Sequence, residues 1–141
     1  THSKLGKGRV YYFAGNLAQT YEKYRFVDFE DIIADPALKY ATPLIKLKNC
    51  PASVEVSLRK NEQGLMIHLV NLNFDGQRPT RRVVPVGPLE VTIRNCSAVT
   101  DQGRLLRSQQ RIKPTCDTDS VSFAIDRLVD YEVAVLQGCN I

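Results

Sequence analysis

The chain contains no tryptophan, one methionine and two histidines. His2 lies at the start, so His68 is the only internal imidazole. Catalysis by a nucleophile, a base and an orienting group most often uses histidine as the base. The residues around His68 are the most apolar of the chain, which favours a core histidine hydrogen-bonded to a neighbour over a catalytic one.

Paired acids and cofactor motifs are also scarce. Glycoside hydrolysis needs two carboxyl groups held across a cleft. Asp117 with Asp119, and Asp126 with Asp130, flank short connections, where aspartate commonly caps or solvates turns. Gly6-Lys7-Gly8 precedes a predicted strand, whereas a phosphate-binding loop follows one. We therefore expect no enzyme activity of this chain, no metal and no cofactor.

The spacing of the cysteines excludes the common redox and zinc motifs. Cys50, Cys96, Cys116 and Cys139 form no CxxC and no zinc-type cluster. Three arrangements of two disulfides stay open, and four buried free thiols are slightly favoured because cysteine behaves as a small hydrophobe. The cellular compartment stays open as well.

Neither a membrane nor a nucleic acid is an expected partner. No apolar run approaches the roughly 18 residues of a membrane helix. The net charge is +4, and the basic residues are mostly dispersed. The group Arg104, Arg107, Arg111 and Lys113 lies in a stretch without aromatic residues, which indicates solvated loops and strand edges and not a nucleic-acid surface.

The aromatic residues are concentrated at one end. Eight of the eleven lie in the first forty positions: Tyr11, Tyr12, Phe13, Tyr21, Tyr24, Phe26, Phe29 and Tyr40. The hydrophobic period changes to two from about Leu44. We predict a strand–loop–helix arm over residues 1–43 and a β-sandwich module over residues 44–141.

The arm is expected to begin with a frayed segment over residues 1–8. Arg9–Ala14 then forms a strand, and Gln19 to about Ala41 carries apolar residues at helical spacing. Pro36 should end or interrupt this helix because proline removes a backbone donor. A strand without a partner invites pairing. We expect it to add to an edge of its own sandwich or, as we favour, to pair with a second copy in a homo-oligomer.

The remaining residues predict a mostly β fold, an antiparallel sandwich of about seven short strands. Leu65–Leu72 is apolar on both faces, which indicates a central strand covered on both sides. The expected core consists of same-face residues of the alternating strands. They are Val54, Val56, Leu58, Ile67, Leu69, Val91, Ile93, Phe123, Ile125, Val133 and Val135.

The arm supplies the best binding candidates. Tyr21 and Tyr24 are three apart and would share a helix face, and Asn16 lies in the loop before them. Tyrosine rings can stack on sugar faces while their hydroxyls form hydrogen bonds. We predict that a glycan site, if present, uses Asn16, Tyr21 and Tyr24, with Tyr12 as an outside candidate. The alternative is that these rings pack against the module.

Several segments together resemble a known arrangement. The arm segments are Gly6–Phe13, Gly15-Asn16-Leu17 and Thr20–Tyr24. They resemble the end of the β-galactosidase trimerisation domain, a flavodoxin-like unit that follows the catalytic barrel in one group of glycoside hydrolases. Val54–Arg59, Met66–Leu72, Pro85–Pro88 and Asp130–Leu136 resemble the β-sandwich that comes next.

The departures shape what this resemblance implies. Phe13-Ala14-Gly15 stands where such proteins often have Phe-Pro-Gly. The family's catalytic carboxylates belong to a barrel that these residues do not include, so none is carried over. The resemblance implies a non-catalytic accessory domain of a carbohydrate-active protein, with the parent's catalytic domain as its partner. The alternative is a carbohydrate-binding module acting through the tyrosine-rich arm.

Overall fold

The computed structural model describes residues 2–62, 64–76, 79, 81–96 and 102–139. Within these ranges the protein has eleven strands, all paired antiparallel, and two helices. It divides into two compact units, Thr1–Pro43 and Leu44–Ile141. None of the helices in the described ranges is long and apolar enough to cross a membrane.

The first unit begins with a β-hairpin. Strand β1 (His2–Leu5) pairs with β2 (Gly8–Tyr11), and Gly6 occupies a left-handed conformation (φ 59°) in the turn between them. The expectations of a frayed start and of an unpaired strand are therefore wrong. The strand over Arg9–Ala14 also ends early, at Tyr11.

Two helices replace the single helix expected over Gln19–Ala41. Helix α1 (Leu17–Tyr24) is capped by Arg25, which is left-handed (φ 54°) and whose N–H donates to the Tyr21 carbonyl at 2.7 Å. Helix α2 (Val27–Tyr40) then starts from an extended Phe26. A positive φ at a residue other than glycine is not visible in hydrophobic spacing, so the break was missed.

Pro36 lies inside α2 and does not end it, so that expectation is wrong too. Proline removes one N–H donor, whose acceptor would be the carbonyl of Ile32. Neither helix contains a buried residue, and Ile32 is itself exposed. Water can therefore solvate the carbonyl that loses its partner, and the helix continues to Tyr40.

The second unit contains two antiparallel sheets, in which the order is β3-β6-β10-β9 and β4-β5-β11-β7-β8. The strands, in chain order, are β3 (Ile45–Lys48), β4 (Val54–Asn61), β5 (Gly64–Asn71), β6 (Leu89–Arg94), β7 (Gly103–Leu105), β8 (Arg111–Ile112), β9 (Thr115–Asp117), β10 (Ser120–Ile125) and β11 (Tyr131–Gln137). Buried residues of both sheets form one hydrophobic cluster. The predicted fold class, a mostly β chain with an antiparallel sandwich, is confirmed.

Most of the predicted core is correct, and the last strand is the exception. Leu69 and Ile67 are fully buried, as expected. On β11 the core cluster takes Ala134 and Leu136, whereas Val133 and Val135 lie on the opposite face, Val135 only half-buried. Because both faces of this strand are apolar, the period of two did not identify the buried one.

Strand β5 has a central position between β4 and β11. Its inward residues are buried, but the alternate residues Met66, His68 and Val70 are half-buried. The expectation that both faces are covered is therefore correct for one face only.

Cys96 and Cys139 form a disulfide, with their Cα atoms 6.2 Å apart. It joins the chain just after β6, in one sheet, to the chain just after β11, in the other. Cys50 is a half-buried thiol whose pKa is raised by burial, and Cys116 is an exposed thiol. The favoured interpretation of four buried free thiols is therefore wrong for three of them.

Candidate functional site

Asn16, the amide predicted to belong to the glycan site, has hydrogen-bond partners at the start of α1. Asn16 precedes α1, and its Nδ2 donates to Gln19 Oε1 at 2.6 Å. The Asn16 carbonyl accepts from the Thr20 N–H at 3.0 Å and from the Thr20 hydroxyl at 2.9 Å. These bonds fix the start of α1, so the Asn16 amide is engaged locally.

Tyr21 joins the two helices. Its hydroxyl donates to Glu30 Oε2 on α2 at 3.0 Å, and the Arg25 guanidinium lies 5.4 Å from its ring centre. The ring is half-buried. Both the hydroxyl and the ring of Tyr21 thus have partners inside the unit, which corresponds more closely to a packing role than to a binding role.

Tyr24 has a different environment. It is 52% exposed and Phe26 is 59% exposed. Their ring centres lie 6.0 Å apart and their planes are within 8° of parallel. Sequence reasoning missed Phe26 because it was assigned to the same continuous helix. The left-handed Arg25 lies between Tyr24 and Phe26 in sequence, and the chain leaves the helix there, so the two residues do not have helical spacing. Tyr12, which follows β2, is 65% exposed.

The hairpin contacts the end of α2 through a second aromatic group. The Arg9 guanidinium lies 4.6 Å from the ring centre of Tyr40, and the rings of Tyr11 and Tyr40 are 6.1 Å apart. The hydrogen bond between the two hydroxyls raises the pKa of Tyr11 and lowers that of Tyr40. These contacts join the hairpin to α2, although none of the three side chains is buried.

Many large hydrophobic side chains of this unit are exposed. Most of the large hydrophobic residues that the described chain exposes belong to it. They are Leu5, Val10, Tyr12, Phe13, Tyr24, Phe26, Val27, Ile32, Ile33, Leu38 and Tyr40. Monomeric soluble proteins seldom expose extended apolar patches unless these serve as interaction surfaces.

The second unit carries a groove of about 880 Å³ on its five-stranded sheet. We call it the β-sheet groove. Among the described residues, its lining includes three cations, Arg104, Arg111 and Lys113, and no carboxylate. The other lining residues are carboxamides and apolar or backbone groups: Asn61, Gln102, Gln109, Gln137, Met66, Leu106, Val135, Gly103 and Ile112.

Strand register explains why these side chains meet. Met66 on β5 is opposite Val135 on β11, Val135 is opposite Arg104 on β7, and Arg104 is opposite Arg111 on β8. Directly paired residues lie on one face of a sheet. The four therefore form a row across adjacent strands, apolar at the centre and basic toward the edge strand β8.

A buried carboxylate holds the turn between β7 and β8. Glu132 is only 5% exposed and accepts from the backbone N–H groups of Arg107 (2.8 Å), Ser108 (3.0 Å) and Val133 (3.0 Å). Burial acts to raise the pKa of Glu132, but the hydrogen bonds outweigh it and hold the pKa below its ordinary value. Arg107 also forms an ion pair with Asp130 at 2.9 Å.

The residues considered for catalysis have structural contacts. His68 Nδ1 lies 2.8 Å from the Tyr131 hydroxyl, so the expected hydrogen bond is present. The side chain is half-buried on the outer face of β5, so the expected core position is wrong. Asp117 Oδ1 accepts from the Thr118 N–H at 2.8 Å, and Asp130 Oδ1 accepts from the Tyr131 N–H at 2.9 Å. Both are turn contacts of the expected kind. Within the described ranges, His, Cys, Asp and Glu form no group of three that could hold a metal ion.

Comparison with known proteins finds a likeness in fold but none in sequence. No protein-family model and no curated protein sequence matches the chain. Among solved structures, α-L-fucosidase isoenzyme 2 from Paenibacillus thiaminolyticus is similar, with a TM-score of 0.65 and 20% sequence identity. The likeness covers 89% of this chain, more than the second unit alone contains, and 20% of the fucosidase.

The chain thus shares its fold with part of a glycoside hydrolase. It spans only a fifth of that enzyme's length, and the identity is low. The likeness therefore shows the fold, in a carbohydrate-active protein, and does not extend to the fucosidase's activity. The expected resemblance to a glycoside-hydrolase-type protein is supported at this coarse level.

Proposed function

We propose that this chain is a non-catalytic accessory β-sandwich domain of a carbohydrate-active protein and acts in domain packing or assembly. The observation that carries the proposal is the fold shared with a fifth of an α-L-fucosidase. The partner would be the catalytic domain of the parent protein.

The exposed apolar surface of the first unit supports this proposal. Its helices have no buried residue, and Phe26, Val27 and Leu38 are each more than half exposed. Covering such side chains stabilises an interface by about 25 cal/mol per Å² of apolar area. A domain that packs against another protein part has this character.

Recovery of the native protein tests the accessory role. An antibody raised against the second unit should recover a species that hydrolyses aryl glycosides, and mass spectrometry should show the chain joined or stably bound to a glycosidase. The purified chain alone should have no turnover. A native species without any glycosidase would refute the proposal. So would turnover by the chain alone that is lost on mutation of one of its own residues.

Glycan binding by the arm is the second candidate. The near-parallel exposed rings of Tyr24 and Phe26 favour it, because ring faces open to solvent can stack on a sugar. Asn16 and Tyr21 would contribute less than expected, since both already have partners. Tyr12 stays an outside candidate.

Affinity-gel electrophoresis followed by calorimetry tests this candidate. Tyr24→Ala and Phe26→Ala should each weaken glycan affinity by about 0.5–1.5 kcal/mol, the usual worth of a ring contact. Tyr21→Phe is the matched control, since it removes only the hydroxyl that donates to Glu30. Equal affinity in all three variants with the fold intact would place binding elsewhere.

A further inference from the structure

We propose that the β-sheet groove binds an acidic oligosaccharide, with Arg104 and Arg111 holding its anionic groups and the carboxamides holding its hydroxyls. This site is separate from the arm and does not depend on the accessory role. The inference starts from the row in which Arg104 is opposite Arg111 on neighbouring strands.

The charge of the groove selects an anion. Arg104, Arg111 and Lys113 are exposed. The ion pairs of the described residues, Lys48–Glu90 and Arg107–Asp130, involve none of them. A planar guanidinium binds carboxylate or sulfate through two parallel hydrogen bonds. No lining residue that the structure describes carries a carboxylate, so none of them forms an ion pair with these cations.

The carboxamides and the size indicate a hydroxyl-rich ligand. A carboxamide both donates and accepts, as a sugar hydroxyl does. Gln102 is exposed at the groove and can contact a hydroxyl. Gln109 donates to the Leu106 carbonyl and accepts from Arg104, and so orients the guanidinium. Met66 and Val135 provide an apolar floor for the C–H face of a sugar ring. The volume of about 880 Å³ lies within the range of small-ligand sites.

Other ligand classes fit less well. The lining residues within the described ranges include no aromatic ring, so they offer neither a neutral sugar nor a nucleobase a stacking surface. Affinity must then come from charge and hydrogen bonds. The frame is fixed by Glu132, which holds the β7–β8 turn through two of its backbone N–H groups. Such a frame reduces the ordering cost of binding.

Calorimetry at low salt with a galacturonic acid trisaccharide is the test. We expect it to bind, and a neutral glucose trisaccharide to bind at least tenfold more weakly. The double variant Arg104→Ser/Arg111→Ser should lose at least tenfold in affinity for the acidic ligand. Arg127→Ser is the matched control: Arg127 is exposed between β10 and β11 and is not among the lining residues of the groove. It should stay within twofold of the parent.

Four results would overturn the proposal. They are no binding of the acidic trisaccharide, equal binding of the neutral one, an equal effect of both arginine variants, and equal or tighter binding of inorganic sulfate or a single-stranded oligonucleotide. Urea midpoints check that each variant is folded. The Tyr24→Ala and Phe26→Ala variants should bind the acidic trisaccharide normally, so failure here is distinguishable from failure of either proposed function.

Discussion

Breaking the disulfide between Cys96 and Cys139 should destabilise the second unit strongly. The bond closes a loop of 43 residues. In the chain-entropy description, such a cross-link removes about 13 cal/mol/K from the unfolded ensemble, or about 4 kcal/mol at 25 °C. Small domains are stable by only about 5–15 kcal/mol. Reduction should therefore remove a large share of the stability.

Urea unfolding followed by far-ultraviolet circular dichroism measures this loss. The best background is Cys50→Ser/Cys116→Ser, which prevents thiol exchange and also serves as the control for the free thiols. With a slope of about 2 kcal/mol/M, reduction should lower the midpoint by about 2 M. The double variant Cys96→Ala/Cys139→Ala should show a similar loss, with some further cost for the cavity. A midpoint shift below about 0.5 M, or four titratable thiols in the unreduced parent protein, would refute this reasoning.

Three further predictions concern other parts of the chain. Leu69→Ala should cost about 2–5 kcal/mol because the side chain is fully buried, whereas Val135→Ala on the outer face should cost about 1 kcal/mol or less; equal losses in urea would contradict the face assignment. The pKa of Glu132 is lowered on folding, so its contribution is present above the ordinary glutamate pKa of about 4.3 and is lost as pH falls below it; Glu132→Gln should flatten the stability profile between about pH 5 and 3, and Glu55→Gln, an exposed control, should not. Because the first unit exposes many large hydrophobic side chains, light scattering should show that the full chain self-associates with concentration and that a chain beginning at Leu44 does not; a strictly monomeric full chain would refute association through the first unit.

The regular strands could be predicted because burial alternates along them. Ile67 and Leu69 on β5, and Val91 and Ile93 on β6, are each separated by one less buried residue. The face of β11 could not be read in this way, since Ala134 and Leu136 alternate with two valines. The conclusion that only the inner face of β5 is covered needed the positions of the neighbouring elements.

The sites were less accessible to sequence reasoning. The pairing of Cys96 with Cys139 depends on two strand ends that are distant in sequence. The pair Tyr24 and Phe26 depends on one left-handed residue. Arg104 and Arg111 were interpreted as solvated edge residues, and they are indeed exposed. Their alignment across two strands is a property of register, which hydrophobic patterning alone does not reveal for short strands such as β7 and β8.

The position of β11 has a consequence for how the protein is made. This strand lies between β5 and β7, so the β4–β5 hairpin keeps an open edge on its most apolar strand until residues 131–137 have been synthesised. Open apolar edges are sites of aggregation, and pairing between distant segments is slow. Loss of a few residues from β11 would thus leave the backbone groups and apolar side chains of β5 uncovered, whereas loss of all of β8 would remove only an edge strand. Folding in the cell should therefore depend on how quickly β11 is synthesised.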